Sequence, residues 1–456
     1  MTSLTATRKC DLIIVGGGPA GYDAARLAAS KGRSVTLIER EHLGGTCLNW
    51  GCIPTKLYLA ATCAQDELAG QAKAKIASGT IQLDFAALRT KKDRLITATR
   101  KAMVKQLDAA GIELIQGDVT AITEKTVHVN DTILSFQDCI LALGSRSAVY
   151  PGLAPDHEVI HDSSSVFDIP EIPSSIIIVG AGAIGIEFAH FFHRLGTKVD
   201  IFEAAPRIVP AGDPNISASL AQILKRAGYG LHTNACIESV CACDGQAVLT
   251  MSDGTKHTAE KILLALGRTP NTESVDVSET TLSLDQKGFI QVDDHLQAAP
   301  HIYATGDVNG RMLLAHAAAH QAEYAVDHAC GHASNPYTFG PYPSIVYGSP
   351  ETMSTGRTVA ELQAQGLSPQ ISQSPLIANP IAQGHATTGG FVKVIWNEDR
   401  VAGVTAVGHG VSQLTTTATI MCNQGWTRED VRHFIFPHPT LDEALKDALL
   451  APRKDA

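Results

Sequence analysis

Two stretches of this chain carry the same pattern, and that pattern limits the fold more than any other feature. Asp11-Leu-Ile-Ile-Val15 leads into Gly16-Gly17-Gly18-Pro19-Ala20-Gly21, then an alanine-rich stretch, then Ser34-Val-Thr-Leu-Ile-Glu39. Ile176-Ile-Ile-Val179 leads into Gly180-Ala181-Gly182-Ala183-Ile184-Gly185, another helix-like stretch, and Lys198-Val-Asp-Ile-Phe-Glu203. In both copies the acid follows the third glycine by 18 residues. A lone GxGxxG says little; set between a strand and a helix, with an acid closing the next strand, it marks a dinucleotide site. The first glycine permits a tight turn, the second lets the backbone approach a pyrophosphate, and the third lets helix and strand pack closely. The helix N-terminus adds N–H donors and positive potential. Glu39 and Glu203 would accept hydrogen bonds from a ribose diol. Two such sites imply two dinucleotides, with electrons passing between them.

A second repeat supports the doubling. Cys139-Ile-Leu-Ala-Leu-Gly144 and Ile262-Leu-Leu-Ala-Leu-Gly-Arg268 each read as a buried strand ending in a glycine turn, and His301-Ile-Tyr-Ala-Thr-Gly-Asp307 ends with an acid. Residues from about 55 to 110 carry helical periodicity through Leu88, Leu95, Met103 and Leu107. After Phe339 the composition shifts, with Pro341, Pro343 and Pro350 in a linker-like passage. Gly390–Trp396 and Val401–Val407 then alternate as a hairpin, and helices are expected over Val411–Gln424 and Leu441–Leu450. The chain thus reads as α/β, with two Rossmann-like dinucleotide-binding domains and a separate C-terminal α+β domain.

Whole-chain numbers exclude several classes. The 456 residues suffice for three or four domains, and the net charge of −10 offers no basic stripe for nucleic acid. The first ten residues lack the apolar core of a secretory signal. The longest apolar segment, Ile176–Phe192, holds three glycines, Glu187 and His190, which argues against a membrane span. Ten cysteines with no framework of paired spacings point to a reducing compartment, and a cytoplasmic location is expected.

Cys47 and Cys52 stand apart from the other cysteines. They lie in Gly44-Gly45-Thr46-Cys47-Leu48-Asn49-Trp50-Gly51-Cys52-Ile53-Pro54-Thr55-Lys56, where Gly51 allows a turn that brings the two sulfurs near each other. A helix-like run starts at Ile53-Pro54, so its dipole favours a thiolate at Cys52. A pair of buried thiols, or half of a zinc site, would also fit; zinc would call for a second ligand pair nearby.

This run resembles the active-site signature of the pyridine nucleotide–disulfide oxidoreductases, nearest to the branch that oxidises dihydrolipoamide, and the likeness extends from Asp11 to about Leu449. The resemblance implies a redox-active disulfide, with Cys47 as the exchange thiol facing substrate and Cys52 against the flavin. It implies FAD on Gly16, Gly18, Gly21, Glu39, Gly45, Thr46, Lys56, Gly144 and Asp307, and NAD on Gly180, Gly182, Gly185, Glu203 and Gly267. Glu187 would be the ionic partner of Lys56. The division implied is an FAD-binding domain over 1–148, an NAD-binding domain over 149–272, a central segment over 273–340 completing the FAD site, and a dimerisation domain over 341–456. Phe436-Pro437-His438-Pro439-Thr440-Leu441-Asp442-Glu443 is similar to the family's His-Pro-Thr-x-x-Glu motif. It implies His438 as the base, oriented by Glu443, acting in an active site shared between the subunits of a homodimer. Thr440 with Glu443 also reads as a capping box for the last helix. The implied partner is a lipoyl-bearing protein, with no nucleic acid and no membrane span.

Two other readings compete: an NAD(P)H-driven reductase of a small disulfide, and a redox-silent NADH-binding subunit. Glu203 opposes the first because a carboxylate repels a 2′-phosphate. The second gives no reason for Cys47, Cys52, Lys56, His438 and Glu443 to occur together. Phe436, where another His is frequent in the family, and Gln413, where a Glu is usual, depart from the pattern. Cys236, Cys241 and Cys243 read as a strand entering a hairpin rather than a metal site, and His316 with His320 as one packed helix face. No metal is expected.

Overall fold

The computed structural model describes residues 5–456. The described residues form two compact units: 5–54, 89–148 and 267–338 in the first, and 55–88, 149–266 and 339–456 in the second. Among the described residues no helix is long and apolar enough to cross a membrane.

The core of the first unit is a sheet in the order Gln297–Ala299, Ile302–Ala304, Asp138–Leu141, Leu12–Val15, Val35–Glu39, Glu113–Gln116. The last five pair parallel, and Leu12–Val15 and Asp138–Leu141 are buried along their whole length. Continuous apolar runs of this kind belong to parallel strands covered on both faces. The helix Pro19–Ser30 buries Ala20, Ala24, Ala25 and Ala28, and these small residues let it lie close to the strands. The helix Ala315–Ala329 joins the same apolar cluster through Ala318, Ala322, Ala325 and Val326.

The second unit repeats the arrangement. Its parallel sheet runs Ile160–Asp162, Lys261–Leu264, Ser175–Val179, Lys198–Glu203, Gly230–Thr233. In both sheets the motif strand is central, flanked on one side by the acid-ending strand and on the other by the strand of the second repeat. The helix Ala183–Arg194 packs Ile186, Phe188, Phe191 and Phe192 into a core that also takes Tyr58, Phe85 and Phe167.

The same unit holds the tail domain, an antiparallel sheet ordered Ser344–Val346, Glu351–Gly356, Arg400–Gly408, Phe391–Asn397, Gln370–Pro375, Lys454–Asp455. The expected hairpin is present, turning at Glu398, which has a φ of +54°. The first expected tail helix splits into a 3₁₀ turn, Val411–Leu414, and an α-helix, Thr415–Gln424. The second is Asp442–Leu450. The periodic stretch after residue 55 forms the helices Cys52–Lys73 and Phe85–Ala109. Leu88 and Leu107 are buried as expected, but Leu95 is 41% exposed and is no core residue. Cys241 and Cys243 lie on the exposed strand Ile237–Cys243, which turns through Asp244 and Gly245 into Gln246–Met251.

Candidate active site

The three glycines of each nucleotide motif differ in what surrounds them. A Cβ on Gly16 would sit 2.2 Å from the carbonyl oxygen of Ala142, and one on Gly180 2.2 Å from that of Ala265. The third glycines, Gly21 and Gly185, would press on the carbonyls of Gly16 and Gly180 at 1.8 and 1.9 Å. These four close approaches account for glycine through the chain's own packing. The second glycines differ: Gly18 would meet only the Cα of Gly45 at 3.9 Å, and Gly182 would meet no atom within 4 Å. Their backbones are open to a ligand at a helix N-terminus, so the residues fit a pyrophosphate in both motifs. Each strand-end acid is fixed by backbone donors. Glu39 accepts from Gly17 N at 2.7 Å and Glu41 N at 2.8 Å; Glu203 accepts from Ala181 N at 2.7 Å and Ala205 N at 2.8 Å.

The cysteine segment is fastened to the first of these loops. Gly44 N donates to Gly17 O at 2.8 Å, and a Cβ on Gly45 would lie 2.9 Å from the Cα of Gly18. Cys47 lies in the short helix Gly45–Trp50 and Cys52 is the first residue of the helix Cys52–Lys73. Cys47 is half-buried and Cys52 exposed. Between them the chain folds back so tightly that a Cβ on Gly51 would lie 2.9 Å from Thr46 O. The buried Asn49 clamps this segment: its Nδ2 donates to Leu43 O at 3.1 Å and Gly45 O at 2.8 Å, and its Oδ1 accepts from Arg100 Nε at 2.6 Å. Sequence reasoning gave Asn49 no role, because the Arg100 contact spans 51 positions.

Asp307 lies in a 3₁₀ turn, Gly306–Asn309, after the third strand, and accepts from Ser145 Oγ at 2.5 Å. Arg268 binds the same group, donating to Ser145 Oγ at 2.6 Å, Ser145 O at 2.6 Å and Thr46 Oγ1 at 3.4 Å, with its Nε 3.5 Å from Asp307. Arg268 and Ser145 therefore join two expected site residues, Thr46 and Asp307. The one signal for Arg268 was its place at the end of the repeated strand motif. Gly144 and Gly267 both have positive φ, +67° and +102°, and open backbones. His316 and His320 do not form the packed helix face expected of them: both are exposed, although His320 Nδ1 lies 2.7 Å from the Tyr337 hydroxyl.

In the second unit, Lys56 Nζ lies 2.6 Å from Glu187 Oε2 and 4.7 Å above the Tyr347 ring. Glu187 is buried and also accepts from Tyr347 N at 3.1 Å. Burial pushes its carboxyl above the usual range, against the pull of Lys56. Lys56→Met leaves that buried carboxylate without its cation and is expected to cost roughly 1–3 kcal/mol, the low end because the lysine is partly in water. A carboxyl raised in the folded state contributes stability below its unfolded pKa and loses it as pH rises through the folded value. The Lys56→Met deficit should therefore shrink on acidification, as urea unfolding across pH would show.

His438 and Glu443 meet as the motif implies: His438 Nδ1 is 3.0 Å from both carboxylate oxygens, and the imidazole is 74% exposed. The hydrogen bond from His438 is the first cause holding the Glu443 carboxyl below its ordinary value. The capping box expected with Thr440 is only half formed. Glu443 Oε2 accepts from Thr440 N at 3.2 Å, but the Thr440 hydroxyl donates to Pro437 O and the helix has Leu441 as its N-cap. Glu443 is thereby turned mainly toward the imidazole.

A family model described as pyridine nucleotide-disulphide oxidoreductase matches residues 10–322, and one for that family's dimerisation domain matches residues 342–449. The chain belongs to this family. It is a flavoprotein oxidoreductase working with FAD and NAD(H), in keeping with its two nucleotide motifs. It is 33% identical to the dihydrolipoyl dehydrogenase of Zymomonas mobilis, covering 97% of each chain. A dihydrolipoyl dehydrogenase of Bacillus subtilis is also 33% identical, over 96% of this chain and 98% of that one. Among solved structures, LpdA from Mycobacterium tuberculosis superposes with a TM-score of 0.89 at 25% identity, covering 97% of this chain and 99% of that one. The HOCl-induced flavoprotein disulfide reductase RclA from Escherichia coli gives 0.86 at 25% identity, covering 96% and 99%.

Proposed function

We propose that this oxidoreductase converts the dihydrolipoyl group of a carrier protein to its disulfide and reduces NAD⁺ to NADH. The observation that carries this reading is the two-oxygen contact of His438 with Glu443 in a chain whose other reactive groups are Cys47 and Cys52. Thiol–disulfide exchange needs a thiolate, and an imidazole takes that proton near neutral pH. Cys47 receives the substrate sulfur, and His438 holds the proton released from it. The bond between Cys47 and Cys52 breaks, leaving Cys52 as thiolate at its helix N-terminus. Exchange with the second substrate thiol then frees cyclic lipoamide and leaves both cysteines reduced. FAD held by the first nucleotide motif would supply a two-electron acceptor for the reduced cysteines and a hydride donor for NAD⁺.

The proposal assigns FAD to Gly16, Gly18, Gly21, Glu39, Gly45, Thr46, Gly144, Asp307 and Lys56, and NAD to Gly180, Gly182, Gly185, Glu203 and Gly267. It divides the chain at 148, 272 and 340, and has His438 serve the cysteines of the other subunit of a homodimer. The chain is placed in the cytoplasm, where its ten cysteines are kept from random pairing.

Glu203 supplies the test. Its carboxylate accepts from a ribose diol and repels a 2′-phosphate. Losing a hydrogen bond to a charged group costs roughly 1.5–3 kcal/mol, or about one to two decades. Wild-type protein should oxidise free dihydrolipoamide with NAD⁺ far faster than with NADP⁺, and Glu203→Ala should narrow the kcat/KM ratio by that amount. A wild type that prefers NADP⁺, or that reduces glutathione disulfide but not lipoamide, would favour the small-disulfide reductase.

A further inference from the structure

Glu67, His385 and His409 are used nowhere in the chemistry above. They come from three separate segments of the second unit: the helix Cys52–Lys73, the C-cap of the short helix Pro380–Gly384, and the loop after the strand Arg400–Gly408. His385 Nδ1 lies 3.3 Å from Glu67 Oε2, and His409 Nε2 lies 3.5 Å from Glu67 Oε1. The two imidazole rings are tilted by 35° with centroids 4.9 Å apart. One ligand atom from each residue falls within 4.8 Å of the other two.

A zinc-class ion binds imidazole nitrogen and carboxylate oxygen at about 2.0–2.2 Å, which places tetrahedral ligand atoms roughly 3.3 Å apart. Each imidazole stands near that separation from a carboxylate oxygen of Glu67, His385 from Oε2 and His409 from Oε1. Rotation of these half-exposed side chains would bring one ligand atom of each, now within 4.8 Å of the other two, to the tetrahedral spacing. With two imidazoles among three donors, the set suits a transition metal rather than magnesium or calcium, which take oxygen ligands. We propose that Glu67, His385 and His409 bind one divalent transition-metal ion of the zinc class, with the fourth position left to water.

The scaffold holds these residues in register. His385 N donates to Ile381 O at 3.1 Å, and Gln71 Nε2 donates to Gly384 O at 3.4 Å. A Cβ on Gly70 would lie 3.0 Å from His385 O, so the helix and this loop are in contact one turn beyond Glu67. His409 sits between Gly408 and Gly410, whose φ angles of +149° and +72° set the direction of its loop. Side-chain exposures of 32–44% let an ion enter without opening the fold. A bound ion ties the helix that carries Lys56 to two loops of the tail domain.

The test uses oxidised holoenzyme, stripped with chelator, desalted and dialysed against zinc ion, with zinc per chain read by mass spectrometry. Wild type is compared with His385→Ala, His409→Ala, the size-conserving His409→Gln, and Glu67→Gln. All five proteins share the same ten cysteines, so the difference between them isolates this site. Wild type should bind one zinc per chain that each variant loses or binds at least about tenfold more weakly. Zinc should raise the Tm of wild type and not of the variants, because only a ligand that binds the folded form stabilises it. Equal zinc affinity and stoichiometry in wild type and both histidine positions would overturn the proposal, leaving plain His–Glu ion pairs. Zinc binding that survives Glu67→Gln unchanged would overturn it as well, since that carboxylate joins the two rings.

Discussion

His438→Ala should lower dihydrolipoamide oxidation by about 10²–10⁴-fold, the range for removing a positioned acid–base group. Glu443→Gln should show a smaller loss, because the imidazole stays while its orientation weakens. The pairing has a defined pH sense. A carboxyl held low in the folded state contributes stability above its unfolded pKa and loses it as pH falls through the folded value. The His438–Glu443 contact therefore persists at neutral pH and is lost only in acid. A pH–rate profile of Glu443→Gln checks this: its difference from wild type should be greatest near neutrality and fade towards acid.

The second large effect is recovery of activity in mixed dimers. Cys47→Ser and His438→Ala homodimers should each be nearly inactive with lipoamide. If each site joins the cysteines of one subunit to the base of the other, a heterodimer of the two variants gathers both defects in one site and leaves the second intact. Differently tagged, purified heterodimers should then show about half the wild-type activity, by the symmetry of a two-fold interface. If the base acts within its own subunit, every site carries one defect and the heterodimer is no more active than its parents.

What could be read directly in the sequence was whatever local backbone geometry dictates. The strand–glycine–helix–acid spacing appears twice because each turn has the same steric demands, and the carbonyls of Ala142 and Ala265 show why Gly16 and Gly180 cannot change. The tail hairpin was equally local. Contacts across long separations were not readable. Arg268 carries no motif of its own, yet it reaches Thr46 across 222 positions. Asn49 has no role legible in the sequence and is the buried clamp of the cysteine segment. Glu67, His385 and His409 are too far apart in sequence to suggest a cluster. The Lys56–Glu187 pair was available only through family resemblance, since nothing in either segment points to the other. Leu95 failed for a local reason: at that turn of the helix Phe85–Ala109 the buried position is its neighbour Ile96, at 5% exposure, and Leu95 falls on the outer face at 41%.

The central claim is that electrons from the dithiol enter through Cys47 and Cys52. The direct measurement is the initial rate of NADH formation from free dihydrolipoamide and NAD⁺ in wild type, Cys47→Ser and Cys52→Ser, each normalised to bound flavin. Both variants should retain wild-type flavin content and lose turnover by at least about a thousandfold, as expected when the covalent exchange group itself is removed. Turnover near the wild-type rate in either flavin-loaded variant would contradict the account.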